Sequence, residues 1–159
     1  MRCAICISCD MKYLLQIVYA SLGTLGFCLV FNIEKRHAII PAIGGGVCWG
    51  AYLLFRHCGL SLFTSTFFAS ALIGLLGELI SVLYSIPPSV FDVPACIPLI
   101  PGSNLYYALA SLIARDYTGW KDNTVSLALY AIGIATGLAV VMETRYIFMK
   151  ALSLYKSKK

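Results

Sequence analysis

Charge is scarce in this sequence. Asp, Glu, Lys and Arg together make up 12% of its 159 residues, hydrophobic residues make up 60%, and the mean hydropathy is +0.84. A soluble domain carries charge on about a quarter of its residues. The composition therefore excludes a soluble globular protein and indicates an integral membrane protein. The formal net charge of +5 could suit an acidic partner, but the basic residues stand between and after apolar runs, with no stripe of interleaved aromatics. They are topology signals, and a nucleic-acid surface is excluded. Histidine is equally scarce, and both His37 and His57 fall at predicted membrane boundaries, where interfacial solvation accounts for them. There is no metal-ligand pair on a helix face, no phosphate loop and no nucleophile–base constellation, so enzyme chemistry is not expected. Internal repeats, low-complexity tracts and loops long enough to hold a separate catalytic fold are absent too.

Cysteine is present in seven copies. Cys28, Cys48, Cys58 and Cys96 lie in or beside apolar runs, where a thiol behaves as a small core residue. Cys3, Cys6 and Cys9 follow a C-x2-C-x2-C spacing, yet no fourth cysteine or histidine follows at ligand distance. Residues 1–12 are therefore expected to form a short N-terminal tail rather than a metal site, and no cofactor is implied. Met11 is an alternative start in this reading. A cleaved signal peptide is not expected, because Ser21 to Phe31 offers no small-x-small cleavage site and the run is long enough to span. Bulky Phe27 also argues against a lipoprotein cysteine at Cys28.

The apolar runs predict an all-α integral membrane protein with about five transmembrane helices, over 13–31, 38–55, 61–83, 90–114 and 125–149. Together they form a single transmembrane domain, 13–149, followed by a basic tail, 150–159. Gly46-x3-Gly50 in the second span and Gly133-x3-Gly137 in the fifth have the small-x3-small spacing that lets membrane helices approach closely. The second span is expected to pack centrally, with a backbone-lined substrate path as the alternative use of its glycines. In the third span Thr66, Ser70, Gly74 and Glu78 recur every four residues and share one helix face. Thr66 and Ser70 thus suggest a polar path leading to Glu78. Glu78 reads as the only carboxylate deep within a span, and an ionisable group there signals a cavity, an ion partner or a proton carrier. Snorkelling to headgroups is its bland alternative. Glu143 and Arg145 are two apart and do not share a face, so each should reach headgroups or a neighbour. Arg115 to Asn123 reads as the longest polar loop, with Tyr117 and Trp120 as interfacial anchors.

The fourth span is broken. Pro98 and Pro101 each remove a backbone donor and clash with the preceding turn, so helix cannot run smoothly from Ile97 to Pro101. Irregular backbone at membrane depth is tolerated only where it is buried in protein or lines a wet cavity. Gly102-Ser103-Asn104 then reads as a helix start, with Ser103 or Asn104 able to cap the following amides. Such a half-helix presents partial positive charge to whatever occupies the break. The candidate substrate-binding residues are Pro98, Pro101, Gly102, Ser103, Asn104 and Tyr107, with Glu78 as the candidate proton-coupling group. Aromatic packing is the alternative for Tyr106 and Tyr107. A broken helix, a polar stripe and a buried acid describe a transport site better than an active site.

Val93-Pro94-Ala95-Cys96-Ile97-Pro98-Leu99-Ile100-Pro101-Gly102-Ser103-Asn104-Leu105-Tyr106-Tyr107 resembles the I-P-L-x-P-G-x-x-x-Y segment of the threonine/serine exporter (ThrE-like) family. The order of spans is similar to its small-subunit branch, the YjjB type. Val30-Phe31-Asn32-Ile33 is similar to the V-F-N-V stretch closing that family's first span, and Gly77-Glu78-Leu79 resembles its S-E-I segment. The resemblance covers residues 12 to 155. It implies export of small amino acids such as threonine and serine, or of small dicarboxylates such as succinate, across the bacterial inner (plasma) membrane. It also implies a partner, a larger YjjP-type membrane subunit. Two departures stand out: Ser81, Val82 and Leu83 follow where the family often has a basic residue after its acidic position, and Gly102-Ser103-Asn104 replaces the glycine-rich run common after the P-G.

The expected function is thus a subunit of a membrane exporter for a small carboxylate-bearing substrate, with proton coupling expected at Glu78. A non-transporting structural or assembly subunit is the alternative, and the small-residue faces would also suit a homo-oligomer. With five spans, Lys35, Arg36, Arg145, Lys150, Lys156, Lys158 and Lys159 share the C-terminal side, against Arg2, Lys12, Arg56, Arg115 and Lys121 on the other. That excess favours a cytoplasmic C-terminus.

Overall fold

In a computed structural model the described residues, 2–84 and 86–157, contain helices and no strand. Side chains are described outside 2–10, 35–37 and 148–157, so those of Cys3, Cys6 and Cys9 lie outside the described residues. The helices are α1 (Arg2–Val30), α2 (Lys35–His57), α3 (Leu62–Tyr84), α4 (Ser89–Cys96), α5 (Gly102–Ile113) and α6 (Tyr117–Ser157), with a 3-10 turn, Ile97–Leu99, extending α4. Four of them are long and apolar enough to cross a membrane. The fifth crossing is the pair Ser89–Leu99 and Gly102–Ile113, bent by 51° at the proline-rich break. The broken fourth helix expected from Pro98 and Pro101 is therefore present.

Local chemistry sets the connections. Gly59 ends α2 at φ +82°, with Leu60 N–H reaching back to Phe55 O at 3.2 Å, a left-handed cap that glycine enters without steric cost. Asp116 starts α6 by accepting the Gly119 N–H at 3.1 Å, as an N-cap carboxylate does. That cap corrects the expected polar loop from Arg115 to Asn123: the chain is helical again from Tyr117, and only Ala114 to Asp116 separates α5 from α6.

Packing follows the small residues. A Cβ on Gly45 would strike Thr24, one on Gly46 would strike Ser21, and one on Gly50 would touch Ile17. One face of α2 thus lies antiparallel against α1. On its other side, Gly44 receives Phe91 and Ala95 of α4. The central position expected for α2 holds, and its glycines seat α1 on one side and α4 on the other. The core joins Cys48 and Tyr52 of α2, Ala69 and Ile73 of α3, and Phe91, Ala95, Cys96 and Leu99 of the broken span, with Tyr130, Ile134 and Leu138 of α6 against it. Cys28, Cys48 and Cys96 are buried as small core residues, whereas Cys58 is exposed. Large apolar side chains exposed around the bundle, such as Leu22, Val82 and Ile132, suit a lipid surround.

The seam between α3 and α6 fixes the topology. Thr66 lies against Gly133, Ser70 against Gly137, and Gly74 against Val141, while Glu78 pairs with Arg145. Partner numbers rise together by four, so the two helices run parallel. Were the α4–α5 pair a re-entrant hairpin returning to its own side, α6 would run antiparallel to α3. The broken segment therefore crosses. Single cysteines introduced at Pro87 and Tyr117, in a chain otherwise free of cysteine, should react with a membrane-impermeant thiol reagent from opposite faces. Labelling from one face would overturn the crossing.

Candidate functional site

The break opens into a cavity of about 230 Å³ lined by Trp49, Pro98, Leu99, Ile100, Pro101, Gly102, Ser103, Asn104 and Tyr130. Five of the predicted residues thus meet there. Tyr107 does not join them; it is exposed and stands edge-on to Tyr106 with ring centroids 5.4 Å apart. The capping expectation is also corrected: α5 begins at Gly102 with Pro101 in the cap position and no side-chain cap. Ser103 Oγ instead donates to Asn104 Oδ1 at 3.5 Å. An α-helix leaves its first amides without intrahelical partners. The Gly102 N–H finds Ile100 O at 2.8 Å and the Leu105 N–H finds Pro101 O at 3.1 Å. Those of Ser103 and Asn104 are left at the positive end of α5, beside the cavity.

Distant helices supply the cavity's opposite wall. The hydroxyls of Tyr52 and Tyr130 lie 2.6 Å apart, and Tyr52 stacks near Trp49 at 5.2 Å between ring centroids. The Trp49 indole N–H reaches Gln16 Oε1 at 3.4 Å. Tyr130 falls near the middle of the membrane-length part of α6, Tyr117–Ile147, so the cavity sits at mid-depth.

Glu78 belongs to a second place. About 22 Å along α6 from Tyr130, a larger cavity of about 630 Å³ is lined by Glu78, Ser89, Asp92, Val93, Met142 and Arg145 among others. Glu78 Oε2 is 2.6 Å from Arg145 Nη1, with the two side chains 17% and 42% exposed. The cation missing after Glu78 in α3 comes from another helix. Asp92 is 7% exposed and its Oδ1 has no hydrogen-bond partner. Glu78 is therefore not the only carboxylate inside the bundle, and Asp92 is a functional candidate that the sequence reading passed over.

Thr66 and Ser70 line neither cavity. Both are fully buried. The Thr66 hydroxyl donates to Leu62 O at 2.8 Å, and that of Ser70 lies 3.0 Å from Phe67 O and 3.3 Å from Gly133 O. They close the α3–α6 seam. No group of three or more His, Cys, Asp or Glu that could hold a metal occurs among the described residues.

Residues 16–143 match the sequence model of a family described as "Threonine/Serine exporter, ThrE". An uncharacterized protein of Haemophilus influenzae is 33% identical over 112 residues, covering 70% of this chain. The chain spans 38% of that relative's length. No solved structure matches.

Proposed function

Because the chain belongs to the threonine/serine exporter family, we propose that it is one component of a two-part exporter that moves a small carboxylate-bearing metabolite. The substrate class is threonine and serine, with small dicarboxylates such as succinate as the second candidate. The larger component is a YjjP-type membrane subunit, and the pair works in the bacterial inner membrane with this chain's C-terminus in the cytoplasm. One observation carries this reading: a half-helix starts at mid-depth, its unpaired Ser103 and Asn104 amides beside a cavity walled by Trp49 and Tyr130. Helix starts of this kind favour a substrate carboxylate in membrane transport sites. Glu78, held by Arg145, orders the neighbouring cavity.

The test is efflux of preloaded threonine, serine and succinate from cells expressing this chain alone and together with its larger partner. Efflux is expected only with both. Asn104→Leu, which replaces a polar side chain with an apolar one at the cavity, should reduce it about tenfold, the loss of roughly one hydrogen bond to a charged group. A stable complex that moves none of the three would overturn the exporter reading in favour of a structural subunit.

A further inference from the structure

The larger cavity brings two carboxylates to one guanidinium. Glu78 of α3 and Arg145 of α6 neutralise each other at 2.6 Å. Asp92 of α4 remains, 7% exposed, and its Oδ1 is buried without a partner. Gly77 explains the crowding on that side: a Cβ there would run into Asp92 Oδ1, so the carboxyl oxygen lies directly on the α3 backbone. The titratable or charged groups that line the cavity with it are Glu78 from α3 and Arg145 and Tyr146 from α6. Helix α2, packed on another side of α4, meets it through Gly44 against Phe91 and Ala95 and contributes no residue to this cavity.

An ionised carboxylate in that position would be an uncompensated charge inside the bundle, which is costly. One proton removes the cost. With Glu78 negative, Arg145 positive and Asp92 protonated, the set is neutral. Arg145 already compensates Glu78, so the site is at Asp92.

We propose that Asp92 is a proton-binding carboxyl, loaded from the cavity it shares with the fixed Glu78–Arg145 pair, and that its reversible step is carboxylate plus proton to carboxylic acid. Its use as the coupling proton rests on the exporter reading; the proton site itself does not. Both are separable by measurement. In the purified full chain at neutral pH, where exposed carboxylates are ionised, infrared spectroscopy should show the carbonyl stretch of a protonated carboxyl. The band should persist in Glu78→Gln and be lost in Asp92→Asn. Its absence from the wild type, or its survival in Asp92→Asn, overturns the proposal. Should Asp92→Asn fail to fold, the wild type still decides. A hydrophobic carbodiimide, which attacks protonated carboxyls in apolar surroundings, should modify Asp92 by peptide mass mapping; modification of Glu78 instead would overturn it.

In the efflux assay, Asp92→Asn should lose acceleration by a proton gradient. Efflux in that variant that still follows the gradient would remove the coupling role. A wild-type chain that carries the band but exports none of the three substrates, even with its partner, would sink the exporter reading and leave the proton site standing.

Discussion

Gly137→Ala is expected to lower the stability of the bundle by about 3 kcal/mol, the upper part of the usual overpacking range. A Cβ at that position would fall on Ser70 Oγ and lie 2.6 Å from Phe67 O and 3.1 Å from Ala71 N. Two of those three atoms are α3 backbone, which no rotamer change can move aside. The Ser70 hydroxyl is itself tied to Phe67 O in its own helix and to Gly133 O of α6, so turning it away gives up its bond across the seam. In lipid, helices gain little by hiding apolar surface from one another, and close backbone approach carries much of the association. Gly26→Ala is the matched control. Nothing lies within 4 Å of its added methyl, so better helix propensity should make it neutral or stabilising by up to about 0.8 kcal/mol. Unfolding in mixed micelles, followed by intrinsic fluorescence, reads both. Equal stability of Gly137→Ala and the wild type would mean that the α3–α6 contact does not form as described.

The same seam shows what a sequence can and cannot give. Thr66, Ser70, Gly74 and Glu78 are visibly one helix face because they recur every four residues, and Gly133 with Gly137 is visibly a packing face. That the two faces meet, and in parallel, is not visible, since any small-residue face fits several partners and periodicity carries no direction. The break was legible because proline acts locally: Pro98 and Pro101 deny the helix its hydrogen bonds wherever they sit. Its exact start was not, since Pro101 took the cap position that Ser103 or Asn104 was expected to fill. Trp49 and Tyr130 join the cavity from helices distant in sequence, and nothing in their local context marks them. Tyr107 follows the break in the same segment, but it is exposed, stands edge-on to Tyr106 and does not line the cavity that Gly102 to Asn104 line. Asp92 was missed because it stands four residues after Pro88, where the sequence reads as the edge of a connection, and only the approach of Gly77 encloses it. Arg145 could be read as reaching either headgroups or a neighbour; the α6 register selects the neighbour.

That register makes the Glu78–Arg145 pair the second sensitive point. Arg145→Leu should destabilise the bundle by about 2 kcal/mol, somewhat below the range for fully buried pairs because Arg145 is 42% exposed. The effect should be asymmetric. Removing Glu78's charge leaves Arg145 near the end of its apolar run, with a stem long enough to carry the guanidinium to headgroups. Removing Arg145 leaves Glu78, only 17% exposed, in a cavity with Asp92 and no compensating charge. Glu78→Gln alone should therefore cost less than Arg145→Leu, and the double variant should recover part of the Arg145→Leu loss. Additive losses in that cycle would show that the two side chains do not act as a pair. A one-turn slip of α6 that places Arg145 beside Gly74 would strand Glu78, so the ion pair penalises the alternative register that repeated small residues would otherwise permit.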